Sequence, residues 1–483
     1  MLSSSCLSDV PEEIWLQIFK AYLDTAHAAA LAPNLDRKTM MPLHHAFLHS
    51  NPFVLSAVCK DWRSICLDNS TLWSTLYLCF STHYDDPLMR RRGEGRRQLL
   101  KKVIDGMELW LARTKNQPLF ISFNMHLSTH HPPCPLIKGS AQQIQTLDIR
   151  LPPRWYNAFD KLEFPLLTTL KVQVPGVKVI SGYRTRGADI AAPLDLSQCP
   201  RLSSVEVTGI FSHNQIVLPW HQIVKIQLSE VVPRDLVEVL TLLPNIEECL
   251  MDFGDSSDYM GHDFPTERVR ARNLKSLTLK NVGYKAGSIL RIIPLHLCHL
   301  GVLLRHIGFD GAGYEERDGI FDHIPPFSDT LLSLSINLCP STSRGRAKYI
   351  VFLSQFRSLV TLELLNTEKM LYNDFIEALL MVPGRLPNLR SVTINWQSAS
   401  NVYDDVLLAA LRFRRNVDAG LNVGSEEPPA PHAGAVLERF ELQCWSAEGS
   451  EPPGASIKPE LMQLVRDGLK LEIFDRRTGL YTP

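Results

Sequence analysis

From residue 140 onward one short phrase keeps returning: an apolar residue, two variable ones, an apolar residue, a variable one, another apolar. Eleven copies begin at Ile144, Leu167, Leu202, Ile223, Ile246, Leu274, Leu297, Leu331, Leu359, Leu389 and Leu437, at intervals of 21 to 48 residues. The alternation that ends each phrase has the two-residue period of a β-strand. The intervals are too long for tight hairpins and long enough for a return crossing, so successive strands are predicted to lie parallel. "RDLVEVLTLL", "RAKYIVFLSQF", "NDFIEALLMV" and "YDDVLLAALRFRR" between phrases fit the returning helices. Several phrases follow a proline, at Pro165, Pro200, Pro244-Asn245 and Pro387-Asn388.

The third, fifth and seventh positions of each phrase decide what kind of parallel array this is. Of these 33 positions only Leu250, Gly301, Leu303 and Leu365 are not polar. A parallel strand buried on both sides reads as an almost unbroken apolar run, so this alternation predicts one open face. The rhythm resembles leucine-rich repeats. That resemblance implies an α/β fold, an irregular solenoid with parallel strands on the inner curve and helices and loops outside. One departure stands out: the family's Asn, due three residues after the last apolar position, is missing from almost every copy. Asn281 and Asn366 stand one residue early, and only Cys339 is an accepted substitute. On the open face Lys171, Glu206, Lys225, Lys280 and Glu363 are the candidate contacts for a protein substrate.

The chain begins differently. In "LSDVPEEIWLQIFKAYL" Asp9 can cap a helix, Pro11 falls in the first turn, and Val10, Ile14, Ile18 and Tyr22 recur at four-residue steps. Trp15, Phe19 and Leu23 widen that stripe beyond what one small internal partner requires, which points to a second body. After a loop at about 24–50, Asn51-Pro52 opens a second helix on which Leu55, Val58, Trp62 and Ile65 share a face, and Trp73 closes the segment, with Leu72, Leu76 and Leu78 as its apolar edge. "VPEEIWLQIFKAYL", "LSAVCKDWRSI" and "LW", in that order, resemble an F-box. The resemblance implies docking onto a Skp-type adaptor that links the chain to a cullin ubiquitin ligase. Val10, Pro11, Ile14, Ile18, Phe19, Val58, Trp62 and Trp73 stand at the family's apolar adaptor-binding sites. The long stretch between Leu23 and Leu55 departs from the family, although loop-closure entropy grows only slowly with length.

Together the two resemblances imply a substrate-recognition subunit of a Skp/cullin/F-box ubiquitin ligase; the alternative is a leucine-rich-repeat interaction scaffold unconnected to ubiquitin transfer. The expected domains are an F-box-like helical part at 1–80, a linker with a helix and a first strand at 81–139, and the repeats at 140–483. In the middle part Leu100, Val103, Ile104, Met107 and Leu111 form a helical stripe and "PLFISF" reads as a strand.

Other functions find little support. The formal net charge is −1 and no run approaches the ~18 apolar residues of a membrane span, so no global field draws the chain to nucleic acid or membrane. "RRRGEGRR", residues 90–97, reads as a solvated loop. Ten cysteines without regular spacing suit buried thiols in a reducing, cytoplasmic or nuclear setting, and the start of the chain lacks a signal peptide's pattern. His44, His45 and His49, and His130, His131 and Cys134, lack the ligand spacing of a zinc site. The glycine-rich stretch 308–319 lacks the Gly-Lys-Ser/Thr ending of a phosphate loop. No nucleophile motif is present, so the chain is expected to be no enzyme and to need no metal or cofactor.

Overall fold

The computed structural model describes residues 10–31, 52–80, 94–125, 134–151, 153–160, 162–173, 193–209, 216–230, 233–253, 271–282, 297–304, 329–337, 343–367, 376–382, 384–396, 404–415, 435–444, 457–475 and 479–481. Asp9, the arginines 90–92, both histidine sets and the glycine-rich stretch 308–319 lie outside them. The chain falls into two compact units, Met1–Leu228 and Ser229–Pro483.

The first unit opens with α1 (Glu12–Leu31), whose first turn is anchored by the Pro11 carbonyl, which accepts from the N–H groups of Ile14 and Trp15 at 3.1 and 3.3 Å. The second helix expected from the sequence is two. α2 (Pro52–Leu55) stops after one turn, and α3 (Lys60–Asp68) restarts beyond Cys59, whose thiol takes the Trp62 N–H at 3.4 Å. The cap interrupts the stripe, so Val58 lies in the intervening turn and is 59% exposed instead of sharing a buried face with Ile65.

Two aromatic clusters hold these short helices. In the first, the Trp62 ring packs on Trp15 and Phe19, with centroids 5.1 and 4.8 Å away. In the second, Phe53, Trp73 and Trp110 meet edge to face, and the Arg113 guanidinium lies over Trp73 at 4.4 Å. Both indoles find acceptors, Trp73 on the Cys66 carbonyl at 2.7 Å and Trp110 on the Trp73 carbonyl, as buried indole N–H groups require. Trp110 belongs to α4 (Glu94–Arg113), in which Met107 and Trp110 are buried, whereas Ile104, placed in the stripe by periodicity, is 40% exposed.

Parallel pairing starts earlier than the first phrase. β1 (Thr75–Phe80), a segment whose apolar residues did not by themselves signal a strand, pairs with β2 (Leu119–Met125), and β2 with β3 (Ile144–Arg150). α5 (Cys134–Ser140) precedes β3; β4 (Thr169–Gln173) and β6 (Ser204–Thr208) continue the ladder. β5 (Leu194–Asp195) and β7 (Ile216–Val217) form a separate two-stranded pair, and β8 (Lys225–Ser229) follows.

In the second unit α6 (Pro233–Leu242) leads to β9 (Glu248–Asp252), then β10 (Ser276–Val282), β11 (His299–Leu304), β12 (Ser333–Ile336), β13 (Thr361–Thr367), β14 (Ser391–Trp396), β15 (Arg439–Cys444) and β16 (Lys470–Asp475), each parallel to the last. β17 (Gly479–Tyr481) returns antiparallel. α7 (Ser343–Ser354), a π-turn at Ile376–Leu380, α8 (Asp404–Arg415) and α9 (Lys458–Arg466) fall between strands; the first three coincide with stretches expected to return.

One bonding rule recurs. The second residue of a phrase offers its carbonyl to two consecutive N–H groups of the next: Glu247 to Lys275 and Ser276, Lys275 to Cys298 and His299, Val360 to Arg390 and Ser391. The residue just before a phrase adds a side-chain bond to the previous turn, Asn273 to the Pro244 carbonyl at 3.3 Å, Ser358 to Asp329 at 2.7 Å and Asn388 to Arg357 at 3.0 Å. This polar staircase joins successive turns. All three apolar positions of every phrase are at most 3% exposed, while of the 33 alternate positions only Asp148 and Gly301 are buried. β16 is a twelfth phrase. Gly468, at φ 94°, holds its first position where an apolar anchor is expected, and Lys470 donates to the Glu438 carbonyl at 2.9 Å, while the Leu469 N–H turns to the Leu464 carbonyl instead.

Candidate functional site

Two surfaces of the first unit have the makings of a site. The first is α1. Phe19 and Leu23, at 1% and 4% exposure, face inward with Trp15 toward Trp62, and Asn69 ties the helix start to α3 through the Glu12 carboxylate at 2.9 Å. One step around the helix, Ile14, Ile18 and Tyr22 lie at i, i+4 and i+8 and are 43, 47 and 42% exposed. Such spacing places them one above another on a single face. The helix is thus apolar on two adjoining faces, one buried and one whose Ile14 and Ile18 stay largely exposed.

The sequence-derived adaptor residues therefore separate. Pro11, Ile14, Ile18 and Val58 are exposed, Val10 and Trp62 are half-buried, and Phe19 and Trp73 are buried within the chain, Trp73 completely. Trp73 is taken up by the cluster it forms with Phe53, Trp110 and Arg113.

The second surface is a cleft of about 340 Å3 on the open face, lined by Tyr77, Phe120, Asp148, Arg150, Lys171, Gln173, Glu206 and Thr208 among others. Strand register builds it. Tyr77, Ser122, Asp148, Lys171 and Glu206 stand opposite one another on five adjacent strands. Asp148, only 4% exposed, accepts from the Ser122 hydroxyl at 2.8 Å and meets the Arg150 Nε at 3.7 Å. Lys171 pairs with Glu206 at 2.7 Å. The Tyr77 and Phe120 rings, 5.2 Å apart, wall one end. Burial, followed by the nearby Asp148 and Asp24 carboxylates, pushes the Tyr77 phenol above its ordinary range, so its hydroxyl stays protonated near neutrality.

Of the five residues proposed to meet a substrate, Lys171 and Glu206 come together here. Lys225 is exposed on β8, and in the second unit Lys280 and Glu363 lie in different rows of the ladder. Tyr77 and Phe120 escaped notice because they precede the first counted phrase. The alternation in "PLFISF" was the one visible signal for Phe120. Among the described residues no group of three His, Cys, Asp or Glu side chains is placed to hold a metal ion, and no helix is long and apolar enough to cross a membrane.

No protein-family model and no curated protein sequence matches the chain. Among the solved structures that match is the leucine-rich repeat-containing protein LegL7 from Legionella pneumophila, at 14% identity and a TM-score of 0.33 over 74% of this chain and 91% of that one. The assignment of a parallel repeat ladder accordingly rests on the register and burial described above.

Proposed function

We propose that the chain is a substrate receptor of a Skp/cullin/F-box ubiquitin ligase, docking its adaptor through α1 and a protein substrate through the open face of the repeats. The observation that carries this reading is the second apolar face of α1. Ile14 and Ile18 fall on residues that the F-box resemblance assigns to the adaptor, and both are exposed although the same helix buries Phe19 and Leu23. Removing the exposed part of such side chains from water on binding is worth roughly 1 kcal/mol each, and a few such anchors can carry an interface. The open face supports the second half: a row of Ser, Thr, Lys, Glu and Gln side chains suits a polar, hydrogen-bonded protein contact.

Capture of a purified Skp-type adaptor by the tagged chain tests the proposal. Ile14→Asp and Ile18→Asp are expected to abolish capture while circular dichroism and melting stay unchanged, since neither side chain is buried. Capture that survives both substitutions would refute the receptor reading and leave a repeat scaffold unconnected to ubiquitin transfer.

A further inference from the structure

The cleft bounded by Tyr77 and Thr208 spends its hydrogen-bonding capacity unevenly. Its acceptors are engaged at short range, Asp148 by the Ser122 hydroxyl at 2.8 Å and Glu206 by the Lys171 ammonium at 2.7 Å. Its donors are not. The side chains of Arg150, whose Nε lies 3.7 Å from Asp148, of Gln173 and of Thr208 make no hydrogen bond to another described residue. A guanidinium fork with an ammonium beside it is matched by a planar anion such as a carboxylate.

Charge selects among anions. Asp148, Arg150, Lys171 and Glu206 cancel, so a single negative charge enters a neutral set, whereas a dianion adds two charges beside two existing carboxylates. The aromatic wall sets the rest of the ligand. Tyr77 and Phe120 sit on β1 and β2, while Arg150 and Lys171 sit on β3 and β4, two strands away, or about 10 Å at the usual spacing. An extended peptide covers that span in about three residues.

We infer that this cleft binds an extended peptide segment presenting a carboxylate to Arg150 and Lys171 and, about three residues away in either direction, an aromatic or large apolar side chain to Tyr77 and Phe120. This rests on the reading that the repeats hold a protein partner, and it names the kind of segment they hold. The carboxylate can belong to an Asp or Glu side chain or to a chain end.

Fluorescence anisotropy of the full chain with labelled peptides tests it. The set carries Phe and Glu separated by one to four residues, with ends amidated, and parallel peptides in which Gln or phosphoserine replaces Glu, Ala replaces Phe, or a free C-terminus supplies the only carboxylate. The best Glu peptide, or its free-terminus counterpart, is expected to bind at least ten-fold more tightly than the Gln and Ala versions, and which of the two wins identifies the source of the carboxylate. Arg150→Gln is expected to erase the preference for Glu over Gln, with unchanged melting showing that the fold is intact. Equal binding of Glu and Gln peptides, tighter binding of phosphoserine, no binding across the set, or an undiminished preference in Arg150→Gln would each overturn the inference. Adaptor capture by the same preparation separates the two proposals: capture without peptide binding sinks the cleft alone, and peptide binding without capture sinks the ligase role alone.

Discussion

Arg414 shows how far a single residue's role can depart from its sequence setting. In the chain it is one of three arginines closing α8, where a basic residue complements the helix dipole and faces water. In the fold it is 0% exposed and spends its guanidinium on three carbonyls, Leu380 at 2.9 Å, Leu386 at 3.0 Å and Arg385 at 2.9 Å. Those carbonyls belong to the π-turn and to the segment that follows it, where Leu386 sits at φ 43° and has no regular ladder to join. Burial lowers the Arg414 pKa to about 10, so the side chain still carries its charge at neutral pH. Arg414→Met keeps much of the bulk but takes a donor from three carbonyls, of which Leu386 retains the Leu389 N–H at 3.1 Å, at about 1–3 kcal/mol for each buried acceptor left unpaired. A loss of roughly 3–5 kcal/mol is expected, read as a drop in the denaturant midpoint, and Arg414→Lys should recover only part of it because an ammonium cannot reproduce the fork. Nothing in the local sequence separates Arg414 from Arg412, because the acceptors come from a turn about thirty residues upstream.

At the scale of the element, α1 poses the complementary problem. Its period-four stripe is plain in the sequence, and so is its excess width. Which edge turns inward is not, because both edges are apolar and the arbiter, Trp62, arrives only after the long stretch 32–51 and a second helix. The break at Cys59 has a local cause, a cap that overrode a stripe which four-residue periodicity would have continued. The structure converts this ambiguity into opposite expectations for adjacent residues. Phe19→Ala removes a 1%-exposed ring from the Trp15 and Trp62 cluster and should cost about 3–5 kcal/mol. Ile18→Asp changes a side chain that is 47% exposed and should shift stability by only about 0.5 kcal/mol. Urea titration of the two variants side by side checks the assignment of faces without any partner present.

At the scale of the whole molecule, the ladder was legible because its signal is repeated. Each of the eleven phrases buries its three anchors, so an error in one copy is outvoted by the others. Its ends were not legible: β2 lacks the full phrase and β16 begins on Gly468, so both escape a search for apolar anchors, while β1, which has the phrase at Trp73, Leu76 and Leu78, lies upstream of the counted copies. The aromatic half of the cleft was lost with them. Cysteine makes the same burial measurable along the chain. Cys66, Cys199 and Cys249 are buried, and burial raises their thiols from 9.0 to about 11, about 12 and about 12, whereas Cys59 is exposed. Iodoacetamide at pH 8 should therefore modify Cys59 in the native protein and spare the other three until it unfolds. The sign of the pH effect follows. Above pH 9 the unfolded thiols release protons that the folded ones keep, so stability is full below that value and falls as pH climbs toward 11–12, by up to ~1.4 kcal/mol per pH unit for each thiol. Cys249→Ala removes one such proton, so its urea midpoint should fall less steeply between pH 9 and 11 than that of the parent chain. Identical slopes would mean that this thiol ionises in the fold as freely as outside it, and that the core behind the open face admits water.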